Sequence, residues 1–243
     1  MLKNCTNKQT DSKFHNSKLT EKRIELKSLM PIKNFHSIEA SLRISKLAFL
    51  EAYPQRRINS LYFDTPDFHS VSESFSGIST RAKYRFRWYG KIIEAKKPTY
   101  EVKFKRGHLS WKSLTQLKFS IDNKAATWSA ALLDSTGTNA SRIVPICEAR
   151  PVSIVSYLRK YYVSADRRIR VTLDTDLCFL DQTTYSSPNF LHVRNCHEKF
   201  LVEIKVQPED LRVLKEFKNS MNFIPQRFSK YCESLANHLP FWK

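Results

Sequence analysis

The sequence predicts an α+β protein in which a closed antiparallel β-barrel has a charged interior and carries its helices on the outside. Strand-like segments along most of the chain alternate charged and apolar residues, so each strand has one charged and one apolar face. Acidic and basic residues recur two positions apart on three of these strands, as Glu25/Lys27, Glu101/Lys103 and Glu203/Lys205. A closed barrel that turns its charged face inward and packs its apolar face against helices satisfies both faces.

The strands are predicted from the two-residue period of charged and apolar side chains. In chain order they are Arg23–Lys27, Arg57–Thr65, Arg81–Trp88, Tyr100–Lys105, Leu109–Phe119, Val152–Val163, Arg168–Asp176 and Phe200–Val206. Pro31 ends the first strand and Pro66 ends the second, since proline cannot donate a ladder hydrogen bond. Gly107 forms the turn between the fourth and the fifth.

The helices are predicted mainly where apolar residues recur near the helical period. In chain order they are Phe35–Ile44, Asp67–Phe75, Lys124–Leu133, Pro208–Phe217 and Phe228–Leu239. Residues 1–20 are polar and have no apolar periodicity, so we expect a disordered tail. The folded domain is expected to span residues 21–243.

The segment Arg81–Trp88 gives the clearest functional signal. Every second residue is basic and the residues between them are apolar or aromatic, so four like charges share one face of a strand. Such charges repel one another, and an anionic partner opposite them relieves the cost. The segment therefore predicts one wall of a binding site for a highly charged anion.

The composition supports a polyanionic partner and excludes two common nucleotide sites. The 243 residues carry a formal net charge of +18, with a sequence pI of about 9.8. This imbalance favours nucleic acid, anionic membrane or polyphosphate-like substrates. The chain has only 4 glycines and lacks both the GxGxxG and the GxxxxGK[ST] pattern, which argues against Rossmann and P-loop sites.

The cysteines and the hydropathy bear on the compartment. The 5 cysteines are widely spaced and form no CxxC pair, so we expect a reducing compartment without disulfides or structural zinc. Cys196-His197 alone supplies too few ligands for zinc. No apolar run is long enough for a transmembrane helix, and no signal-peptide core is present. A cytoplasmic protein, in solution or peripheral at an anionic membrane, is expected.

Seven short motifs resemble, in order, those of the VTC domain, the polyphosphate polymerase domain of the vacuolar transporter chaperone complex and its shorter bacterial relatives. They are Ile58–Pro66, Tyr84–Gly90, Glu101–Lys103, Val155–Arg159, Arg170–Thr175, Val202–Lys205 and Phe228–Tyr231. Each is short, but together they run from about Glu21 to the C-terminus. The VTC domain belongs to the CYTH-like triphosphate tunnel metalloenzymes.

The resemblance implies a fold and an activity. The fold would be an eight-stranded antiparallel tunnel that holds triphosphate or polyphosphate in a basic lumen, with Mn²⁺ or Mg²⁺ bound by a carboxylate. The reaction would transfer the terminal phosphoryl group of ATP onto a growing polyphosphate chain. A membrane-associated partner protein would be compatible with the family, whereas nucleic acid is disfavoured as a partner.

The resemblance also implies site residues at the matching positions. The phosphate-binding and catalytic residues would be Lys27, Arg85, Arg87, Lys103, Arg159, Arg170 and Lys230. Further substrate contacts would come from Lys83, Tyr157, Arg168 and Lys205. Glu203 would bind the metal, while Asp174 and Asp176 would either orient the arginines or bind metal.

One departure separates this chain from the hydrolytic members of the superfamily, which begin with ExExK. Here the run is Arg23-x-Glu25-x-Lys27, so a cation replaces the first carboxylate. The loss of an acidic ligand should weaken a second metal site and the activation of water. The VTC branch departs in the same way, which favours a polymerase over a hydrolase.

Three other functions remain open at this point. A CYTH-type tripolyphosphatase would release orthophosphate without making longer chains. A non-catalytic polyphosphate sensor would use the same basic lumen without turnover. A nucleic-acid binder is suggested by the basic and aromatic interleaving, but the aromatic residues alternate away from the cations, so both cannot face one strand of nucleic acid.

Overall fold

The computed structural model describes residues 18–19, 22–117, 120–122, 124–132, 149–220 and 223–236. The strands are β1 (Lys18–Leu19), β2 (Ile24–Pro31), β3 (Leu50–Asp64), β4 (Thr80–Tyr89), β5 (Thr99–Arg106), β6 (Leu109–Gln116), β7 (Arg150–Val163), β8 (Ile169–Asp181), β9 (Val193–Cys196) and β10 (Lys199–Val206). The helices are α1 (Phe35–Ile44), α2 (His69–Phe75), α3 (Trp128–Ala131), α4 (Leu211–Ser220) and α5 (Lys230–Ser234). Most of the predicted tail lies outside the described residues, although Lys18–Leu19 forms β1.

The strands form one antiparallel sheet in the order β1-β6-β5-β4-β3-β7-β8-β10-β2, with β9 pairing β8. The sheet is strongly curled, and Arg23, just before β2, exchanges two 3.1 Å backbone hydrogen bonds with Ser110 of β6. The predicted closed barrel is wrong, because this isolated bridge is not a continuous ladder. The register gives the reason: Leu19 pairs with Ser113 and Arg23 with Ser110, and β6 begins at Leu109, so the β2 residues that follow extend past the end of β6.

Three helices pack as predicted on the apolar outer face of the sheet. α1 and α4 cover β2, β8 and β10, with Leu42 and Phe217 in the buried contact. α3 covers the outer face of β3, β4 and β5, where Trp128 and Leu132 pack. This helix is much shorter than the predicted Lys124–Leu133 segment.

The prediction that all helices lie outside is wrong for α5. Tyr231 of α5 stacks on Tyr62 of β3, and Lys230 lies 4.4 Å from the ring centroid of Tyr157. α5 therefore lies on the inner, charged face of the curled sheet. It begins at Lys230, two residues after the predicted start, because the Ser229 hydroxyl accepts a hydrogen bond from the Cys232 amide and caps its first turn; the predicted end at Leu239 lies outside the described residues.

Asp64 joins the end of β3 to α2 and α5. Its fully buried carboxylate accepts hydrogen bonds from the amides of Ser70 (2.9 Å) and Val71 (3.0 Å) at the start of α2. It also accepts one from the hydroxyl of Tyr231. Two motifs that are far apart in the sequence are thereby brought together at one end of the inner face.

We predict that Asp64→Ala lowers the free energy of unfolding by about 2–4 kcal/mol, because it removes a helix cap and leaves a buried hydroxyl and buried amides without partners. Urea unfolding monitored by circular dichroism measures the change. Asp122→Ala is the control, since Asp122 is exposed and caps a single turn amide at Lys124. Equal stability of the two variants would contradict the linking role of Asp64.

Candidate functional site

A continuous set of basic side chains covers the inner face of the curled sheet and the adjoining turn of α5. We call this surface the basic face, and its members are Lys27, Lys83, Arg85, Arg87, Lys103, Lys105, Lys112, Arg159, Arg170, Lys205 and Lys230. The two-residue alternation places them on one side of β2, β4, β5, β6, β7, β8 and β10, opposite the apolar residues of the outer clusters. The buried carboxylates on the same face are Glu25, Glu101, Asp174 and Glu203.

Glu101 of β5 organises the cations of β4 and β6. Arg85 donates to one of its oxygens from Nε at 3.0 Å and from Nη2 at 2.5 Å. Arg87 and Lys112 approach the other oxygen at 3.3 and 3.4 Å. Burial raises the pKa of Glu101, but Arg85, Arg87 and Lys112 outweigh it and hold that pKa well below its usual value. Glu101 is therefore a fixed anion that orients the guanidinium groups.

Asp174 of β8 has the same role on the other side of the face. Arg159 donates to its two oxygens at 2.5 and 2.7 Å, and Lys230 of α5 donates to one of them. Burial raises the pKa of Asp174, but these two cations outweigh it and keep the carboxylate ionised. Of the two roles that the sequence leaves open, the geometry supports the orienting role.

Asp176 lies apart from this arrangement. It pairs with Arg57, and one of its oxygens is 3.3 Å from Nδ1 of His197. Its backbone is in the left-handed region, at φ 49°, where β8 has an irregular register against β7. No contact of Asp176 with the buried cations of the basic face occurs in the part of the chain that the structure describes.

Glu25 and Glu203 form a pair of neighbouring carboxylates on β2 and β10. Burial and the neighbouring Glu203 raise the pKa of Glu25, but Lys103 and Lys27 outweigh them and hold it below its usual value. Lys103 donates to Glu25, and the Lys205 ammonium lies 2.7 Å from Glu203. Burial raises the pKa of Glu203, but Lys205 and Lys27 hold it well below its ordinary value. Both carboxylates are therefore available as anionic oxygen ligands.

This pair fits a hard divalent cation. Mg²⁺ and Mn²⁺ bind carboxylate oxygens, and Mg²⁺ commonly takes one or two carboxylates and completes its shell with phosphate oxygens and water. Within the described ranges, no group of three or more His, Cys, Asp or Glu side chains is arranged to hold a metal by itself. Glu25 and Glu203 would therefore hold such an ion together with a phosphate ligand.

One guanidinium of the basic face keeps a donor without a hydrogen-bond partner among the described residues, and three of its lysines have lowered pKa values. Arg87 is 8% exposed, and its buried Nε has no hydrogen-bond partner among the described residues. Burial lowers the pKa of Lys83, Lys112 and Lys205 to about 8. A buried donor without a partner and lysines whose protonation burial opposes both favour the binding of an external anion.

Two tyrosines complete the surface. The Tyr62 hydroxyl accepts a 2.9 Å hydrogen bond from Arg85. The ring of Tyr157 lies 5.1 Å from the Arg159 guanidinium and 4.4 Å from the Lys230 ammonium. These rings limit the rotamers of the cations, which reduces the entropy lost when an anion binds.

Most of the residues that the sequence singles out lie together on this face, but Asp176 and Arg168 do not. Arg168 lies before the start of β8, in a turn where Arg167 has a φ of 62°. It pairs with Asp166 at 2.8 Å and Asp210 at 3.7 Å, away from the buried cations. Arg170 is exposed near the start of β8, in ladder register with Lys205, so it belongs to the rim of the face.

The sequence argument missed some members of the site. Lys112 was not considered, because Leu109–Phe119 has no regular charge alternation, yet its register places Lys112 beside Lys103. Tyr62 lies within a quoted motif but received no role. Its ladder position opposite Arg85 could have been found by aligning the β3 and β4 motifs as an antiparallel pair.

Comparison with known protein families identifies the family to which this chain belongs. The model of the VTC domain matches residues 9–239, which is most of the chain. The chain belongs to the VTC domain family. Membership confirms the resemblance found in the motifs, and it supports a fold that binds polyphosphate or triphosphate. No curated protein sequence matches this VTC domain.

Solved structures of similar shape are distant. A structure described as a candidate adenylate cyclase from Vibrio parahaemolyticus is 13% identical, with 88% of this chain and 98% of that chain covered and a TM-score of 0.47. A protein from Pyrococcus horikoshii is 14% identical, with 88% and 97% covered and a TM-score of 0.44. Among the described helices, none has the length and apolar character needed to cross a membrane.

The lysine pKa values predict how anion binding depends on pH. In the free protein, Lys83, Lys112 and Lys205 lose their protons as the pH rises through about 8. Above that pH, these lysines must take up protons when an anion binds. We therefore expect the affinity for tripolyphosphate to fall between pH 7 and pH 9, by up to about tenfold for each lysine that contacts the anion.

Isothermal titration calorimetry at several pH values measures this dependence. Lys83→Arg and Lys205→Arg serve as comparison variants, because an arginine stays charged across the range and should flatten the profile. An affinity that is constant or rises between pH 7 and pH 9 in the unmodified protein would contradict the prediction.

Proposed function

We propose that this VTC domain is a metal-dependent polyphosphate polymerase that transfers the γ-phosphoryl group of ATP to the end of a polyphosphate chain. The observation that carries the proposal is the basic face, where buried cations outnumber buried carboxylates and are held in fixed orientations by them. Phosphoryl transfer needs little covalent help from protein; it needs in-line positioning and neutralisation of charge on the phosphate oxygens. The basic face supplies both.

In the proposed reaction, an oxygen at the end of the polyphosphate chain attacks the γ-phosphorus of ATP. A new P–O bond forms as the bond from the γ-phosphorus to its bridging oxygen breaks, and ADP leaves with the electron pair. The attacking oxygen is already ionised near neutral pH, so no enzyme base or nucleophile is required. The tripolyphosphate portion of ATP and the polyphosphate end would lie along the basic face.

The side chains divide this work by geometry. Arg85, Arg87 and Arg159 present planar guanidinium groups that can bind two phosphate oxygens at once, and Glu101 and Asp174 fix their directions. The lysines act as point charges, with Lys230 reaching in from α5. Because these groups are oriented before substrate binds, little reorganisation is needed in the transition state.

The proposed metal site is the Glu25 and Glu203 pair. A Mn²⁺ or Mg²⁺ ion bound there would neutralise charge on adjacent phosphate oxygens. The residue at position 23 supports transfer to polyphosphate rather than to water. Arg23 stands where hydrolytic relatives carry a carboxylate, and its buried Nε has no partner among the described residues, so it favours another anion over a second metal.

A second candidate is a non-catalytic polyphosphate-binding protein. The observation in its favour is that Glu203 already contacts Lys205 at 2.7 Å and Arg159 at 3.6 Å. These cations partly satisfy the carboxylate in the absence of metal. A polyphosphate chain could then bind on the basic face without turnover.

We predict that the purified protein, incubated with ATP and Mn²⁺, forms polyphosphate that lengthens with time on a stained polyacrylamide gel. Arg85→Ala should reduce the rate by roughly two orders of magnitude, because it removes one preorganised electrostatic contact. Arg43→Ala is the matched control, since Arg43 is an exposed arginine of α1 that lies outside the basic face and pairs with Glu51 at 3.8 Å.

The products distinguish the candidates. Orthophosphate without a ladder would replace the polymerase by a tripolyphosphatase. Neither product, with tight tripolyphosphate binding retained, would leave the non-catalytic binder. Thermal unfolding of Arg85→Ala shows whether any loss of rate reflects the site rather than the fold.

We predict further that Glu25→Gln and Glu203→Gln each raise the Mn²⁺ concentration needed for half-maximal activity, by about tenfold or more, because each removes a negative ligand. Activity measured across a Mn²⁺ titration gives this value. A change in maximal rate with an unchanged Mn²⁺ requirement would show that the pair orients Lys103 and Lys205 and does not bind the metal.

A further inference from the structure

Arg56, in the first half of β3, is surrounded by three tyrosine rings. The Arg56 guanidinium carbon is 5.6, 4.4 and 5.0 Å from the ring centroids of Tyr53, Tyr89 and Tyr161. Arg56 also donates a 3.1 Å hydrogen bond to the hydroxyl of Tyr161. We call these four residues the entrance cluster.

The entrance cluster keeps aromatic surface in contact with solvent. Tyr53 is 59% exposed and Tyr89 is 49% exposed, and Arg56 is also exposed. The register of β3 against β7 shifts on both sides of Tyr53, between Glu51 and Tyr53 and between Tyr53 and Arg56. Such irregularities redirect side chains and are common beside functional sites.

The entrance cluster is continuous with the basic face. The Tyr161 ring is 5.0 Å from the Arg56 guanidinium and 5.9 Å from that of Arg159, so the two arginines share one ring, and they lie opposite each other on β3 and β7. Arg159 in turn stacks with Tyr157, which contacts Lys230. A ladder of alternating cations and rings therefore runs from the exposed tyrosines to the buried Asp174 site.

We propose that the entrance cluster binds the base of the nucleoside triphosphate whose phosphates occupy the basic face; this inference rests on the proposed function. Aromatic rings and arginine planes both stack on nucleobases, and every base has a π face. Inorganic polyphosphate has no such face and gains little from exposed tyrosine rings. Tyr53 and Tyr89 thus become specificity-determining residues that favour ATP over free tripolyphosphate at the donor position.

The test compares two ligands on the 243-residue chain. Binding of the β,γ-imido analogue of ATP and of tripolyphosphate, each with Mg²⁺, is measured by isothermal titration calorimetry for the unmodified chain and for the Tyr53→Leu/Tyr89→Leu variant. We expect the variant to bind the ATP analogue about tenfold more weakly, the loss of one base–aromatic stack. Its affinity for tripolyphosphate should be unchanged.

Two comparison variants sharpen the result. Tyr53→Phe/Tyr89→Phe keeps both rings and should bind the ATP analogue like the unmodified protein. Tyr185→Leu removes a tyrosine that stacks with His192, outside the entrance cluster, and should have no effect on either ligand.

The outcomes separate the two proposals. Unchanged binding of the ATP analogue in the leucine variant overturns the base site and leaves the proposed function standing. An equal loss for both ligands also overturns it, since the cluster would then act on phosphate or on the fold. If the unmodified protein binds neither ligand, the proposed function fails and the base site fails with it.

Discussion

Buried carboxylates hold the basic face together, and the rest of the structure depends on them. Without Glu101, Arg85 and Arg87 of β4 would repel Lys112 of β6, and without Asp174, Arg159 of β7 would repel Lys230 of α5, in a region from which water is largely excluded. Each carboxylate receives a bidentate or doubled contact from an arginine and a further contact from a lysine on another element. The anions therefore fix the directions of the cations.

The charge balance explains how one surface can be stable and still bind a polyanion. The carboxylates neutralise part of the positive charge and orient the side chains that carry it. The positive charge that remains is available to a phosphate chain. The lowered pKa values of Lys83, Lys112 and Lys205 are a consequence of this imbalance, because burial opposes their protonation when no anion is bound. Polyphosphate would supply the missing negative charge and would raise these pKa values again.

The alternation of residues predicted eight of the strands and most of the basic face, since a period of two specifies which side chains share a side. It could not predict where a strand ends: Arg168 has the right parity but lies in the turn before Ile169. It also could not predict the lateral neighbours, so Lys112 and Tyr62 were overlooked. The position of α5 on the inner face depends on Asp64 and on the capping Ser229, which are long-range and local contacts that periodicity does not report.

The assembly of the basic face has a consequence for how the chain reaches its native state. Lys27 on β2 donates to the backbone of Phe228, a separation of 201 residues, and β2 pairs along its length with β10. Contacts of such high sequence separation form slowly, because the loop between them must close first. During folding, the cations of β4 and β5 are exposed to solvent before Asp174 and α5 meet. We therefore expect partly folded chains to be trapped by cellular polyanions such as RNA, and short polyphosphate to act as a folding template that competes with them.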